Sequence, residues 1–103
     1  MCKKKIFIIL ITMIFYTSAY ADDKMILGLE IFNNKAQCGT CHVLKAAGSN
    51  GQIGPNLDQI KPQENQIILA VKNGIGVMPS WEGTLTEEEI EAVAYYVFKS
   101  TNK

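Results

Sequence analysis

The pentapeptide Cys38-Gly39-Thr40-Cys41-His42 is the feature that most constrains this chain, because it places two thiols beside the chain's single histidine. Cys-x-x-Cys-His is the attachment motif of c-type haem. On a tight helical turn, each thiol can form a thioether with one of the porphyrin's two vinyl groups. His42 then lies beneath the iron as its proximal ligand. The motif therefore predicts one covalently bound haem c per chain.

Three other uses of this cluster remain open from the residues alone. A thioredoxin-like redox pair requires a βαβ context, and the sequence shows no sign of one. A structural zinc site requires four ligands, whereas residues 22–103 contain two cysteines and one histidine. A plain disulfide between Cys38 and Cys41 is sterically tight at this spacing and leaves His42 without a role. Covalent haem uses all three side chains.

Residues 1–21 have the pattern of a secretory signal peptide. Three lysines precede an apolar run from Ile6 to Tyr16, and Ala19-Tyr20-Ala21 is typical of a cleavage site. A membrane span needs about 20 apolar residues, more than this run provides. Cys2 precedes the run, so it is not a lipoprotein cysteine and is expected to leave with the peptide. We predict a periplasmic domain of residues 22–103, with no membrane span once the signal is cleaved.

This domain of 82 residues carries seven lysines and ten carboxylates, a protein charge of −3. Such a charge disfavours nucleic-acid binding, which relies on basic surfaces. A hydrophobic core alone is marginal at this size, and small domains usually add a disulfide, a metal or a cofactor. The composition is therefore consistent with a cofactor at the centre of the domain.

Apolar periodicity predicts a small all-α domain with three to four helices around the haem and no β-hairpin. The first helix is expected from about Lys24 to Asn34, with Asp22 or Asp23 as its cap and an apolar face of Met25, Leu29 and Phe32. Gly28 is costly inside a helix, by about 1 kcal/mol relative to alanine, unless another backbone or ring approaches closely there. Residues 37–60 are expected to form an ordered loop, with one short helix after Cys41.

Two further helices are expected towards the carboxyl terminus. One runs from Pro62 or Gln63 to Asn73, with Gly74 as the residue after its end and Ile67, Ile68 and Val71 on its buried face. The last begins at a capping box of Thr86 and Glu89. Its apolar stripe consists of Ile90, Val93, Ala94, Val97 and Phe98.

Two methionines of the predicted domain are candidates for the sixth iron ligand. Met25 occupies a core-type position in the first helix, where packing is the simpler explanation. Met78 follows a helix end in a loop with two glycines, which let the backbone approach the ring. It lies 36 residues beyond His42, enough chain to reach the other face of the porphyrin. We therefore assign Met78 as the axial ligand.

Over essentially the whole predicted domain, the sequence resembles the class I cytochromes c of the small monohaem bacterial type. Gly28 with Phe32 is similar to the family's Gly/aromatic pair in the first helix, and Val93 with Tyr96 to its partners in the last. In Gly54-Pro55-Asn56-Leu57, the resemblance implies that the Pro55 carbonyl accepts a hydrogen bond from His42. Met78-Pro79 resembles the distal ligand motif. The segment between Phe32 and Cys38 is slightly longer than the family pattern.

This resemblance implies a one-electron carrier with filled axial positions, rather than an enzyme. We expect it to act as a periplasmic shuttle between redox partner proteins, as a monomer. One alternative is the dedicated haem subunit of a periplasmic dehydrogenase, such as a sulfite dehydrogenase. A haem sensor or peroxidase would require an open or displaceable site. Trp81 has two open interpretations: it bonds a haem propionate or covers the haem edge, or it is simply part of the core.

Overall fold

The computed structural model describes residues 21–103, so the predicted signal peptide, except Ala21, lies outside the described residues. Within this range, four α-helices form the frame: α1 over residues 21–30, α2 over Leu57–Ile60, α3 over Glu64–Asn73 and α4 over Glu87–Thr101. Short 3-10 turns lie at Cys38–Thr40 and Lys45–Ala47. The all-α prediction is confirmed.

The expectation that the domain has no hairpin is wrong in one detail. Strand β1 (Val43–Leu44) pairs antiparallel with β2 (Ser49–Asn50). Strands of two residues are too short to show the alternation from which a hairpin is predicted. The connecting 3-10 turn ends at Gly48, whose φ of 70° reverses the chain.

Helix α1 continues directly into a π-helical turn, Ile31–Lys35. The Ala36 amide donates to the Ile31 carbonyl five residues back, at 2.9 Å. Such a turn takes up one residue more than an α-helical turn. It therefore accounts for the unusual length of the segment between Phe32 and Cys38.

Two predictions for the first helix are corrected. Residues 21–23 are already helical, so Asp22 and Asp23 lie inside α1 and do not cap it. Leu29 is 37% exposed, because the buried face passes through Gly28 to Ile31 and Phe32, which are each 1% exposed. Gly28, Ile31 and Phe32 follow the ordinary helical spacing of three and four residues, and Leu29 lies about 100° around the helix from Gly28.

Gly28 lies where α1 crosses α4. A Cβ atom there would collide with the Ala92 carbonyl oxygen and with Tyr96 Cβ. The close approach that would justify a glycine is thus confirmed, with Ala92 and Tyr96 at the contact. The Phe32 and Tyr96 rings lie 6.1 Å apart with their planes tilted by 59°.

Helices α3 and α4 have the ends that their sequences predict, within two residues. The Gln66 side chain accepts a hydrogen bond from the Gln63 amide at the start of α3. At the start of α4, Thr86 and Glu89 form the predicted capping box, with bonds of 2.9 and 3.1 Å. Helix α3 packs against α4. Ile67 and Val71 are buried there, whereas Ile68 is half-buried.

The predicted stripe of α4 forms much of the core. Ile90, Val93, Ala94 and Val97 are buried, and Phe98 packs against them half-buried. Tyr96 is 5% exposed, as expected for the inward-facing member of the Tyr95–Tyr96 pair. In residues 21–103, no helix combines the length and hydropathy that crossing a membrane requires.

Candidate haem site

The cysteine pentapeptide folds as a single tight turn. Gln37 enters it with a left-handed backbone, at φ 50°. The Cys38 carbonyl then accepts hydrogen bonds from the amides of Cys41 and His42, at 3.1 and 3.0 Å. Because one carbonyl holds both amides, the turn fixes the spacing of the two thiols and the imidazole. This is the local geometry that the motif predicts.

The loop after β2 folds back over this turn. The Gly54 amide donates to the Cys41 carbonyl at 2.7 Å, and the Gly51 amide donates to the Gly39 carbonyl at 3.2 Å. Ser49 Oγ donates to the His42 carbonyl at 2.9 Å. The backbone on both sides of His42 is therefore tied to residues 49–54, and sequence reasoning gave no signal for the part played by Ser49.

His42 Nδ1 lies 2.7 Å from the Pro55 carbonyl oxygen, so the hydrogen bond that the resemblance implies is present. A carbonyl only accepts, so Nδ1 must carry the proton. In the neutral imidazole, Nε2 then keeps its lone pair, which is the form that binds iron. A bond of this kind orients the ring and raises the basicity of the ligating nitrogen.

Gly54 leaves the space in which the imidazole lies. A Cβ atom on Gly54 would come within 2.6 Å of His42 Cε1 and 2.9 Å of Nδ1. Real side chains do not approach so closely, so only glycine lets this loop lie flat against the ring. The imidazole is thus confined by Gly54 and oriented by Pro55.

Both thiols of the turn are free in the structure. Burial raises the pKa of the Cys38 thiol to about 11, although a backbone hydrogen bond opposes the shift. Nucleophilic cysteines of redox motifs have a lowered pKa. The environment of Cys38 therefore argues against the thioredoxin-like alternative, while a neutral thiol remains able to add to a vinyl group.

Met78 lies in a loop whose two ends are tied to the last turn of α3. The loop leaves the helix at Gly74, whose amide donates to the Ala70 carbonyl at 2.8 Å. It returns at Trp81, whose amide donates to the Val71 carbonyl at 2.9 Å. Between these points, Ile75 and Met78 exchange two backbone hydrogen bonds of 3.1 and 2.9 Å. Met78 is half-buried against the core, and so is Trp81.

The side chain of Lys35 connects the π-helical turn with α4. Lys35 forms a salt bridge with Glu89. The hydrogen bond that Lys35 Nζ donates to the Glu89 carboxylate is the main cause of that carboxyl's lowered pKa, and the Thr86 amide assists. Lys35 therefore joins the π-helical turn to the start of α4, and we assign it this structural role.

Large apolar side chains remain exposed on the two segments that carry the predicted ligands. Ile53 is 69% exposed beside Gly54, while Ile75 and Val77, close to Met78, are 68% and 87% exposed. Exposed apolar side chains beside Gly54 and Met78 leave apolar surface that a ligand or partner can cover. Together with two free thiols and an imidazole with an available Nε2, they fit an apolar macrocycle with a central iron.

Comparison with known proteins identifies the class. Residues 26–97 match the family model described as cytochrome c oxidase, cbb3-type, subunit III. The chain belongs to the class I cytochromes c, the small monohaem proteins whose cofactor is a covalently attached haem c. It is an electron-transfer protein.

Individual relatives agree with this assignment. The chain is 38% identical to cytochrome c6 of Tetradesmus obliquus, and the match covers 70% of this chain and 85% of that protein. Chloroplastic cytochrome c6 of Chlamydomonas reinhardtii is 39% identical, and the match spans 80% of this chain but 57% of that protein. The crystal structure of the c-type cytochrome SorU from Sinorhizobium meliloti superposes with a TM-score of 0.73 at 49% identity, covering 80% of this chain and 95% of SorU.

A further relative is a larger protein. The cbb3-type cytochrome c oxidase subunit FixP of a Bradyrhizobium strain is 42% identical over 76 residues, which are 25% of its length. A domain similar to this chain thus occurs within an oxidase subunit.

Proposed function

We propose that this chain is a periplasmic one-electron carrier, with haem held by thioethers from Cys38 and Cys41 and iron ligated by His42 and Met78. The observation that carries the proposal is the hydrogen bond from His42 Nδ1 to the Pro55 carbonyl, because it leaves Nε2 available for a metal. Bound haem supplies the Fe(III)/Fe(II) couple. His42 and Met78 would hold its iron, and Cys38 and Cys41 would attach it covalently to the chain.

Met78 suits the second axial position for chemical reasons. A thioether sulfur is a soft donor that favours Fe(II), so it raises the reduction potential. With His42 and Met78 both bound, oxygen and peroxide have no vacant site. The two backbone bonds between Ile75 and Met78 limit the movement of the loop. Little reorganisation then accompanies electron transfer.

The test compares Met78→Ala with Met25→Leu in the oxidised, haem-loaded protein. Met25 is the matched control, since it packs against the core from α1. We expect the weak far-red charge-transfer band of sulfur-ligated iron in the wild type and in Met25→Leu. Met78→Ala should lose this band, bind imidazole without delay and show a lower potential. A band that survives in Met78→Ala would exclude Met78 as the ligand.

Location and attachment are tested on the protein from native cells. The signal-like segment 1–21 supports export to the periplasm, and the pair of cysteines supports attachment at two points. Mass spectrometry of the exported protein should find an amino terminus at Asp22 and one haem bound through both cysteines. Cys38→Ala should retain at most one thioether, with a shifted absorption maximum.

A second candidate function is that of a dedicated haem subunit in a periplasmic dehydrogenase. The match to FixP supports this reading only in that a similar domain occurs within a larger enzyme subunit. A free shuttle should purify alone and bind partners transiently, whereas a subunit should copurify at fixed stoichiometry with a catalytic chain. Affinity purification from native periplasm separates the two.

A further inference from the structure

The last turn of α3 offers carbonyl groups that the helix itself cannot satisfy, as at every helix end. Gly74 and Trp81 bind two of these, on Ala70 and Val71. The next carbonyl, on Lys72, accepts a hydrogen bond of 2.6 Å from Ser80 Oγ. A side chain two residues beyond Met78 is therefore bound to the same helix end from which the Met78 loop departs.

Among the described residues, this is the only hydrogen bond that the loop makes to α3 between Gly74 and Trp81. Gly74 has a φ of 75°, and a Cβ atom there would lie 2.7 Å from the Met78 carbonyl oxygen and 2.8 Å from the Ser80 amide. Residues 78–80, where the loop returns towards α3, thus lie directly against Gly74, where the loop leaves the helix. Pro79 has no amide proton to donate, so the Ser80 hydroxyl is the first donor after Met78 that reaches α3.

We propose that Ser80 is a positioning residue for the axial methionine, holding the Met78 loop closed through the Lys72 carbonyl. Ser80 does not touch the iron; it determines how often the loop opens. This inference rests on the proposed ligation by Met78. Its consequence is kinetic: the bond should slow the dissociation of the Met78 sulfur while leaving the identity of the ligand unchanged.

The experiment measures imidazole binding to the oxidised holoprotein by stopped flow. At saturating imidazole, the rate of displacement reaches a limit set by loop opening. Losing one net hydrogen bond should raise this limit about fivefold in Ser80→Ala. Ser80→Thr, which keeps the hydroxyl, should restore a rate near that of the wild type.

Thr84→Ala is the matched control, because it removes an exposed hydroxyl from the segment that directly follows the Met78 loop. The Thr84 hydroxyl makes none of the side-chain hydrogen bonds found in residues 21–103, and its amide bond to the Trp81 carbonyl is unaffected. We expect its limiting rate and its urea unfolding midpoint to match the wild type. Ser80→Ala should lower the free energy of unfolding by about 1 kcal/mol, which is the same fivefold change converted. A larger loss of stability with a wild-type limiting rate would show general destabilisation instead of loop opening and would overturn the inference.

Two results overturn the inference, and they are distinguishable. If the far-red band is present and depends on Met78 but Ser80→Ala opens at the wild-type rate, Ser80 has no positioning role and the proposed ligation stands. If the wild type lacks the band, the ligation itself fails and the inference fails with it.

Discussion

His42, the proposed iron ligand, shows how much of a side chain's geometry is decided by its protein neighbours. Pro55 sets its tautomer, Gly54 confines its ring and Ser49 holds its backbone carbonyl. Of these three, the Pro55 contact was predictable from the resemblance. Ser49 was not, because its contact depends on the pairing of β1 with β2, which leaves no periodic signal in two-residue strands.

At this scale we predict the effect of Gly54→Ala. The added Cβ must displace the imidazole or the loop, which should weaken the bond to Pro55 and lower the basicity of His42. Fe(III) is then less stabilised, so the reduction potential should rise by on the order of 50 mV, about a tenfold change in the one-electron equilibrium. Protein-film voltammetry measures this shift.

Gly48→Ala is the control for that substitution. Gly48 has a φ of 70° but open space around the position of a Cβ atom. Its replacement should cost about 1 kcal/mol of stability through backbone strain and leave the potential unchanged. Equal potentials in Gly54→Ala and the wild type would show that the contact with His42 does not tune the iron.

Among the elements, the ends of α3 and α4 were the most predictable and α1 was the least. Thr86 with Glu89, and Gly74 after Asn73, are local signals that depend on residues within one turn. The π-helical turn at Ile31–Lys35 depends instead on two distant requirements, the crossing at Gly28 and the turn at Cys38. No local pattern encodes their relative phase. Leu29 was wrongly assigned to the core because Gly28, which lies on the buried face, adds nothing to an apolar pattern.

The crossing of α1 and α4 gives a prediction in which two effects have opposite signs. Helix propensity alone makes Gly28→Ala stabilising by about 1 kcal/mol. The collision with Ala92 and Tyr96 should outweigh this, because overpacking a tight contact typically costs about 1–3 kcal/mol. We expect a net loss of stability, measured by urea unfolding of the holoprotein.

Ile26→Ala provides the comparison on the same helix. Ile26 is 67% exposed, so its truncation should change the free energy of unfolding by no more than about 0.5 kcal/mol. If Gly28→Ala proves as stable as Ile26→Ala or more stable, the two helices can separate at little cost and the crossing is not tight.

For the whole molecule, the deciding quantity is charge. Residues 22–103 carry a protein charge of −3, so small charged oxidants should respond to salt in opposite ways. Between low and high salt, oxidation of the reduced protein by a cationic cobalt complex should slow about threefold, and oxidation by ferricyanide should accelerate similarly. Stopped-flow absorbance at several ionic strengths checks both directions.

Glu88→Lys tests whether the sign of the charge causes this behaviour. Glu88 is exposed in the first turn of α4, and its reversal brings the protein charge to −1. Both salt dependences should become shallower. Parallel salt dependences for the two oxidants, with either charge, would show that overall charge does not govern their approach.

The architecture of this domain followed from its sequence because one pentapeptide fixed the cofactor and a small core left few arrangements for three long helices. The contacts around the site did not follow in the same way. The bond from Ser80 to the Lys72 carbonyl, like the pairing of β1 with β2, exists only once a loop has returned to a helix that precedes it in the chain.

The π-helical turn has a consequence for how such a chain tolerates changes of length. An extra residue in a regular helix would rotate everything beyond it by about 100°, separating the Gly28 face from the turn at Cys38. Ile31–Lys35 absorbs that residue in one widened turn, closed by the bond from Ala36 to Ile31. The widened turn therefore holds one more residue without changing the relative orientation of the Gly28 face and the Cys38 turn. Lys35 is exposed at this turn, and its salt bridge with Glu89 connects the turn to α4.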